Sequence, residues 1–462
     1  MPIPPDTATD ATLLLPDWII PVEPAATVLA GHGLALRGGR ITAIAPHAEL
    51  ARRYPGAPAR TLRGQVLIPG LVNLHAHAAM SLLRGAGDDL PLMTWLRERI
   101  WPLEGKLMSP EFVYDGSVLA FAEMLAGGVT CCADMYFHPD EVARAALAVG
   151  LRATVGMTVI DFPTPYASDA DDYLAKGLAA REQFRDEPLL RFMFAPHAPY
   201  TVGDAALSRI GELAEELDVP IAIHLQETRD EVAEALARTG MRPTARLAAL
   251  GLLSPRLIGV HAVHLDAADI ALLAGHGAHV AHCPASNLKL ASGLAPVGAL
   301  LAAGVNVGIG TDGAASNNRL DLLGDTRLAA LLAKGQSGDA AALPAHEALR
   351  AATLAGARAL GRDDEIGSIE VGKRADLVSI RLDAAHQLPV FDAASHVVYA
   401  AGREDVEEVW IDGNSVAKKL QLIKSSSNRE LNAILCRIQQ WHHRAAAIIS
   451  GTNPYFCRDE QQ

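Results

Sequence analysis

Short runs of apolar residues alternate with longer stretches of helical periodicity through the middle of the chain. Eight such runs can be distinguished, and they begin near Val66, Val129, Arg152, Leu190, Val219, Leu257, His279 and Asn306. Most lack the regular alternation of apolar and polar residues that marks a half-exposed strand. Continuous apolar runs of this length are typical of strands covered on both faces in a parallel sheet. The pattern therefore predicts eight buried β-strands.

The stretches between these strands carry Ala, Leu and Glu at helical spacing. Examples run from Ser109 to Ala126, from Asp204 to Leu217 and from Thr228 to Arg238, with Asp204 and Thr228 where N-caps belong. Eight β/α units over about 300 residues match the usual size of a (β/α)8 barrel. A doubly wound open sheet is the alternative, but no Gly-x-Gly-x-x-Gly opens a helix after the first strand. The predicted fold class is therefore α/β, with a TIM-like barrel.

The two ends of the chain differ from the middle in composition and in the length of their apolar segments. Residues 12–65 and 365–416 consist of short pieces rich in Val, Ile, Leu, Gly and Pro. Neither piece has enough strands for a core of its own, whereas together they could form one small β-sandwich. An amphipathic helical stretch follows from Asn428 to Ile449. We therefore predict a β-sandwich from residues 1–65 and 365–416, a barrel from residues 66–364 and a C-terminal helical tail from residues 417–462.

Side chains that bind metals or transfer protons stand at the C-terminal ends of four predicted strands. They are His75, His77, His224, Glu227, His261 and Asp312. Alternate residues of a strand point to one face, so His75 and His77 converge. An isolated His-x-His is more often a pair bonded to backbone carbonyls, but the further strand ends favour a metal site, because barrel active sites lie on this face. We predict His75, His77, His224 and Asp312 as ligands of one divalent ion, with Glu227 and His261 beside them.

Composition limits the classes of partner. The 462 residues carry a formal net charge of −13. A negative net charge does not favour binding to DNA, RNA or an anionic membrane, which are themselves negatively charged. No apolar run approaches the ~20 residues that span a bilayer, and the start of the chain does not resemble a secretory signal. Five cysteines without a Cys-x-x-Cys suggest reduced thiols. We expect a cytoplasmic protein that binds a small molecule, with neither nucleic acid nor membrane as a partner.

Five stretches resemble motifs of the amidohydrolase superfamily and, within it, of the methylthioadenosine/S-adenosylhomocysteine deaminases and the related triazine hydrolases. They are Pro69 to His77, His197 to Tyr200, His224 to Thr228, His282 to Leu290 and Gly310 to Asn318. The resemblance covers roughly residues 10–415. It implies a metal-dependent hydrolase on a distorted barrel beside a β-sandwich, with one ion per chain and no carboxylated lysine. Zn²⁺ is the expected ion, with Fe²⁺ and Mn²⁺ as alternatives, and we expect a homo-oligomer.

The expected chemistry depends on this ion and on three side chains near it. A bound Zn²⁺ lowers the pKa of water from 15.7 to about 7, and in a deaminase the activated water attacks the ring carbon that bears the amino group. We predict that Glu227 protonates the ring nitrogen and then the departing ammonia. Asp312 would take the proton from water, and His261 would polarise the water or stabilise the adduct. The alternative for Glu227 is an exposed carboxylate at a helix N-terminus.

The resemblance also implies substrate contacts. Trp95 would line the nucleoside pocket, Glu104 would bind the ribose hydroxyls, and His197 would face the 5′ substituent. Without the resemblance, Trp95 could equally be helix core and Glu104 an exposed charge. The region from Thr154 to Ser168 contains no arginine for an amino-acid carboxylate. The predicted function is therefore deamination of 5′-methylthioadenosine to methylthioinosine and ammonia, with adenosine and S-adenosylhomocysteine as further candidates.

Two other functions stay open, and a third is excluded. The first is hydrolysis of another aminated or chlorinated heterocycle, such as a triazine or guanine, with the same metal site. The second is a non-enzymatic scaffold of the same fold, which would be expected to have lost ligands. The zinc cytidine-deaminase fold is excluded because the chain lacks a His-x-Glu with Pro-Cys-x-x-Cys.

Overall fold

The computed structural model describes residues 10–418 and 429–451. Sixteen strands form two sheets, a barrel sheet from the middle of the chain and an end sheet from both its ends. The strands are β1 (Thr12–Ile19), β2 (Leu29–Ala30), β3 (His32–Arg37), β4 (Arg40–Pro46), β5 (Ala59–Pro69), β6 (Leu71–Ala76), β7 (Val129–Tyr136), β8 (Arg152–Val159), β9 (Leu190–Pro196), β10 (Ile221–Leu225), β11 (Leu257–His261), β12 (His279–His282), β13 (Asn306–Ile309), β14 (Leu377–Arg381), β15 (Val406–Ile411) and β16 (Asn414–Lys418).

Helices follow the strands of the barrel and cover its outside. The helices of the described residues are α1 (His47–Arg53), α2 (Leu92–Trp95), α3 (Trp101–Leu107), α4 (Pro110–Ala126), α5 (Pro139–Val149), α6 (Ala170–Gln183), α7 (Asp204–Leu217), α8 (Arg229–Thr239), α9 (Pro243–Ala249), α10 (Ala267–Gly275), α11 (Pro284–Lys289), α12 (Val297–Ala302), α13 (Ala314–Asn317), α14 (Leu322–Ser337), α15 (Ala345–Ala351), α16 (Leu354–Ala359), α17 (Ala393–Tyr399) and α18 (Arg429–Ser450). A π-helical turn, Leu96–Ile100, joins α2 to α3, and 3₁₀ segments occupy Ala78–Leu83 and Arg403–Asp405.

The barrel sheet consists of β6 to β13 in chain order, and all its strand pairs are parallel. Every residue of β7 and β8 is buried, as expected for strands between a barrel core and an outer layer of helices. Beyond β13 the chain returns to β6 through three hydrogen bonds. The amide of Asp312 donates to the carbonyl of His75 at 3.0 Å, and the Asn73 side chain bonds both the amide and the hydroxyl of Thr311. These bonds join the two edge strands at the C-terminal end of the barrel.

The end sheet is mixed and runs in the order β16-β15-β14-β5-β1-β3-β4, with β2 beside β1. Buried and more exposed residues alternate along β4, as in a sheet with one covered face. A buried arginine joins this sheet to the barrel. Arg152, the first residue of β8, donates to both carboxylate oxygens of Asp376 at 2.8 and 3.1 Å and to Asp412 at 2.9 Å.

The predicted fold class is confirmed: an eight-stranded parallel barrel lies beside β-structure built from both ends of the chain. Two local predictions are wrong. The strand that we predict from Val66 begins at Leu71 instead, because Val66 to Pro69 are the end of β5 and pair with β14. Gly203, not Asp204, is the N-cap of α7. The carboxylate of Asp204 instead bonds Arg246 at 2.8 Å.

From Arg429 onward, the amphipathic stretch that we predict from Asn428 to Ile449 is the helix α18, which packs on α3, α4 and Ala78–Leu83. Asn428 and the parts of the predicted tail at 419–427 and 452–462 lie outside the described residues. Its anchor is Asp115 of α4, whose side chain is fully buried. Arg437 donates to both oxygens of this carboxylate, at 2.8 and 2.5 Å, and Trp441 donates its Nε1 hydrogen at 3.1 Å. The Trp441 ring also meets Phe112 edge to face at 5.3 Å between centroids.

The substitution Arg437→Ala is expected to lower the free energy of unfolding by about 2–3 kcal/mol, because it leaves the buried Asp115 carboxylate with a single donor. Urea unfolding of the metal-loaded protein measures the change. Gln440→Ala, on an exposed position of the same helix, is the matched control and should change the free energy by less than about 0.5 kcal/mol. Equal stability of the two variants would show that the bond to Asp115 contributes nothing net.

Candidate active site

The predicted metal ligands meet at the C-terminal end of the barrel. His75 lies on β6 and His77 directly follows this strand, while His224 is on β10. Asp312 comes three residues after the end of β13 and has a left-handed φ of 62°. The hydrogen bond from its amide to the carbonyl of His75 brings the carboxylate over the first strand.

The ligand atoms of these four residues are close together. The Nε2 atom of His75 lies 3.2 Å from Nε2 of His77 and 3.2 Å from Nε2 of His224. Oδ1 of Asp312 lies 3.5 Å from Nε2 of His75 and 3.3 Å from Nε2 of His77. Three imidazole nitrogens and one carboxylate oxygen therefore surround one small space, which is a donor set that zinc takes.

Hydrogen bonds on the far side of two rings support this assignment. Nδ1 of His77 donates to the carbonyl of Met135 at 2.6 Å, and Nδ1 of His224 donates to the carbonyl of His197 at 2.7 Å. A carbonyl oxygen only accepts, so Nδ1 carries a hydrogen in both rings, and the neutral form of such a ring has its lone pair on Nε2. Burial lowers the pKa of His75 to about 4. The Nε2 atoms of the three rings converge beside a carboxylate, and this arrangement fits a cation.

The carboxylate of Asp312 is held from three directions. Its Oδ2 accepts hydrogen bonds from the hydroxyls of Ser286, at 2.5 Å, and Ser316, at 2.8 Å. Its Oδ1 accepts the amide hydrogen of Gly313 at 2.8 Å. Burial would raise the pKa of Asp312, but the bond to His75 and the nearby imidazoles hold it well below the usual range. The group is therefore an anion at neutral pH and can accept a proton only when its surroundings change.

A cavity of about 310 Å³ opens above this cluster. All the predicted site residues except the fully buried His75 line it: His77, Trp95, Glu104, His197, His224, Glu227, His261 and Asp312. The structure thus brings together every side chain that the sequence singles out. The volume is in the range of small-molecule sites, and most of the remaining wall is apolar or aromatic, including Leu92, Met108, Ile160 and Phe162.

Glu227 is buried beside the cluster and is not an exposed carboxylate at a helix N-terminus. Its Oε1 accepts a hydrogen bond from the hydroxyl of Ser292 at 3.1 Å, and its Oε2 lies 3.8 Å from Nε2 of His261. Burial raises the pKa of Glu227. A raised pKa favours the protonated form of the carboxyl group, which is the form that a proton donor needs.

His261 ends β11 and stacks on His224, with the ring centroids 5.4 Å apart. Its Nδ1 is 2.8 Å from the side-chain oxygen of Asn287, so Nδ1 carries a hydrogen there. Its Nε2 then faces the carboxylates of Glu227 and Asp312. Burial lowers the pKa of His261, but these carboxylates raise it by more, so the ring can gain a second hydrogen at Nε2.

Glu104 and Trp95 also line the cavity. Glu104 is on α3 and accepts a hydrogen bond from the hydroxyl of Tyr136 at 2.7 Å. Burial raises the pKa of Glu104 to about 7. Trp95 is 5 % exposed, and its Nε1 hydrogen has no partner among the described residues. His197 stands nearer the cluster, with its Nδ1 2.9 Å from the hydroxyl of Thr201.

Sequence reasoning missed the residues that support the predicted ones. They are Tyr136, Glu231, Ser286, Asn287, Ser292 and Ser316. One of them had a signal, because Thr228 and Glu231 have the spacing of a capping box. Ser286 and Ser316 lie in two of the stretches that resemble the family, but nothing in those stretches shows that both hydroxyls bond Asp312. Ser292 had no signal, because its partner Glu227 lies 65 residues away.

Comparison with known proteins gives the family. A model described as "Amidohydrolase family" matches residues 66–416, which is most of the chain, and the bacterial imidazolonepropionase-like composite domain matches residues 33–57. The chain belongs to the amidohydrolase family. Membership confirms the predicted superfamily and the prediction of a hydrolytic enzyme, and it argues against a scaffold that has lost its ligands.

Several relatives of this amidohydrolase carry specific names. A protein of Teredinibacter turnerae, named 5-methylthioadenosine/S-adenosylhomocysteine deaminase, is 46% identical over 93% of this chain and 96% of its own. A protein of Saccharophagus degradans with the same name is 45% identical over 88% and 91%. The structure of an adenosine deaminase from Xanthomonas campestris with bound zinc is 49% identical, with a TM-score of 0.91 over 95% of this chain and 99% of the other.

A more distant structural neighbour is named for a different reaction, the hydrolysis of a chlorinated triazine. Atrazine chlorohydrolase of Arthrobacter aurescens, also solved with zinc, is 25% identical, with a TM-score of 0.84 over 93% of this chain and 100% of the other. Zinc in both relatives, together with the converging ligand set here, bears out the prediction of a metal-dependent amidohydrolase. Among the described residues, no helix combines the length and the apolar character that a membrane crossing requires.

Proposed function

We propose that this amidohydrolase removes the amino group of an adenine nucleoside by hydrolysis, with 5′-methylthioadenosine as the preferred substrate. The observation that carries the proposal is the single cavity in which the histidine and aspartate cluster, Glu227 and the apolar wall with Glu104 lie together. Relatives at 45–49% identity that are named as deaminases of such nucleosides support it.

In this proposal His75, His77, His224 and Asp312 hold one divalent ion, with zinc as the first candidate. When bound, the ion acts as a Lewis acid and lowers the pKa of water to about 7. Water then adds to C6 of the adenine ring, and the ring must take up electrons as this happens. The residues around the cavity supply the proton transfers and the orientation that this addition requires.

Glu227 carries the proton that the ring needs. Burial raises its pKa, which favours the protonated form, and in this proposal Glu227 donates its hydrogen to N1 of the ring as water adds. Asp312 accepts the proton of the attacking water, and His261 donates a hydrogen bond to the oxygen that becomes the carbonyl of hypoxanthine. The hydroxyl of the adduct then gives its proton to Glu227, which passes it to the amino nitrogen, and ammonia leaves as the C6–N bond breaks. The proton held by Asp312 returns to Glu227, so both carboxyl groups regain their starting states. The balance is one water consumed and one ammonia released.

In this proposal Glu104, Trp95 and His197 bind the sugar and the 5′ substituent. Glu104 accepts hydrogen bonds from the two ribose hydroxyls, which a carboxylate can do with both oxygens. Trp95 packs against the nucleoside, and His197 faces the 5′ end. A methylthio group is small and apolar, and Ile160 and Phe162 offer it matching contacts.

Ammonia release from a panel of substrates tests the proposal. The purified protein should release ammonia from methylthioadenosine and from adenosine, and the absorbance should change from that of adenine to that of hypoxanthine. It should be inactive on guanine and should not release chloride from chlorinated triazines. Activity on a triazine or guanine alone would replace the proposed function with that of the alternative heterocycle hydrolases.

Metal analysis of the active protein tests the ligand set. We expect about one divalent ion per chain, and His75→Ala should weaken the binding strongly, because it removes one of the four side chains that converge on the ion. His279→Ala is the control, since this histidine bonds the carbonyl of Pro255 at the opposite end of the barrel strands. Active protein without a transition metal would overturn the assignment.

Three predictions from the sequence stay predictions. They are the homo-oligomeric state, the cytoplasmic location and the domain boundaries at residues 65, 364 and 416. Sedimentation of the purified protein measures the first of these.

A further inference from the structure

Glu231 is a buried carboxylate that the proposed mechanism does not use. It is the third residue of α8 and is 8% exposed. Its Oε1 accepts a hydrogen bond from the backbone amide of Gln226 at 2.9 Å, and its Oε2 accepts one from the amide of Glu227 at 2.8 Å. One side chain thus binds two consecutive amides of the peptide that carries the proposed proton donor.

This arrangement differs from an ordinary helix start. Thr228 is the N-cap of α8, and its hydroxyl accepts the amide hydrogen of Glu231 at 3.2 Å. In a capping box the acidic residue at this position returns a bond to the amide of the N-cap residue itself. Glu231 instead reaches the two residues before Thr228, so it fixes the end of the loop after β10 as well as the helix.

The loop needs such support because its backbone is unusual. Gln226 has a left-handed φ of 49°, which is costly for a residue other than glycine and persists only when the surroundings hold it. Its side chain is buried and makes four hydrogen bonds. The oxygen accepts from the amide and the hydroxyl of Thr244 at 3.0 and 2.6 Å, and the nitrogen donates to the carbonyl of His264 and to Asp269, both at 2.9 Å.

The carboxylate of Glu227 has a support of its own. The hydroxyl of Ser292, which lies after α11 and is buried, donates to Oε1 at 3.1 Å. This bond selects one orientation of the carboxylate and leaves Oε2 as the oxygen that faces His261, at 3.8 Å. The backbone and the side chain of Glu227 are therefore held by different residues.

We propose that Glu231 and Ser292 are positioning residues for Glu227, Glu231 through the backbone amides and Ser292 through Oε1, and that Oε2 is the oxygen that gives and takes the proton. The effect of these two residues on catalysis rests on the proposed function, whereas their hydrogen bonds do not. It adds two residues that touch neither the ligands nor the substrate space of the mechanism above.

Steady-state kinetics on methylthioadenosine test whether Glu231 positions Glu227 for proton transfer. Glu231→Gln keeps the size of the side chain but turns one acceptor into an amide nitrogen opposite a backbone N–H. We expect kcat to fall about tenfold or more, with KM and metal content within about twofold of the wild type, because a small displacement of an acid from its target slows proton transfer. Glu234→Gln, on an exposed position of the same helix, should leave all three unchanged.

A pair of variants at Ser292 tests the role that we propose for its hydroxyl in orienting Glu227. Ser292→Ala removes the donor and should lower kcat by a similar factor, whereas Ser292→Thr keeps the hydroxyl and should restore most of the loss. A role in packing alone would not separate the two in this way, since alanine and threonine both alter the volume. If Ser292→Ala and Ser292→Thr have equal kcat values, the hydroxyl does not orient Glu227.

Hydrogen exchange measures how firmly the amides of this loop are held, and it does not depend on catalytic activity. The amides of residues 224–228 should exchange faster in Glu231→Gln than in Glu234→Gln. Unchanged exchange together with unchanged kcat would overturn the role of Glu231. A wild type that deaminates no nucleoside would contradict the proposed function, but the exchange rates would still decide whether Glu231 holds this peptide. If Glu231→Gln does not fold, the Ser292 pair decides the inference.

Discussion

Glu227→Gln is expected to keep its metal and to lose about 10²- to 10⁴-fold in kcat on methylthioadenosine, which is the usual contribution of a positioned acid or base. The glutamine side chain has nearly the same shape, and its oxygen can still accept the hydroxyl of Ser292. It cannot carry the acidic proton that the ring nitrogen and the leaving ammonia require. Stopped assays of ammonia release measure the change.

The control for this variant is Glu234→Gln, an exposed glutamate of the following helix. It should match the wild type in rate, metal content and melting temperature. A turnover rate of Glu227→Gln within a few-fold of the wild type would remove this residue from the mechanism. Loss of metal together with activity would instead assign it to the support of the ligand His224.

S-adenosylhomocysteine is expected to be deaminated with a kcat/KM at least tenfold lower than that of methylthioadenosine, with adenosine between the two. None of the described residues that line the cavity is a lysine or an arginine. The amino-acid carboxylate of S-adenosylhomocysteine would have no cation beside it, and a charged group without a partner commonly costs more than about 1.4 kcal/mol. Methylthioadenosine places only a thioether methyl group at the same position.

Arg84 is another candidate for the missing cation, but it does not line the cavity, and its guanidinium bonds Glu123 and the carbonyl of Asn318. Arg84→Ala should therefore leave the ratio of the two kcat/KM values unchanged. An equal or higher kcat/KM for S-adenosylhomocysteine in the wild type would indicate a cation from outside the described cavity, such as an arginine of a neighbouring subunit in the expected homo-oligomer. The absorbance change from adenine to hypoxanthine follows both reactions.

The barrel and the ligand positions could be predicted from the sequence because both follow from local rules. An apolar run that ends in a histidine or an aspartate marks a parallel strand and the face on which its side chain opens. The strand starts at Val129, Arg152, Leu190 and Leu257 are correct for this reason. The start at Val66 is not, because β5 and β6 form one apolar run and only Gly70 separates the two sheets.

The supporting residues could not be predicted in the same way. Ser286 and Ser292 act on carboxylates that lie 26 and 65 residues away in the chain. Nothing in a serine's neighbours indicates which distant strand end it faces. Glu231 is different, since its bonds are local, and the capping-box spacing could have marked it as a residue that turns toward the strand end.

The contact between Asn73 and Thr311 joins residues 238 positions apart in the sequence, at the point where the barrel closes. Pairing over such a distance has a higher loop-closure cost than a local contact, and we expect it to form late in folding. Until it forms, the histidines of β6 and β10 lack the carboxylate of Asp312. We therefore expect high-affinity metal uptake to report completed folding in this protein, in contrast to small zinc domains whose folding depends on the ion. The time course of metal uptake by refolding chains should follow barrel closure and not precede it.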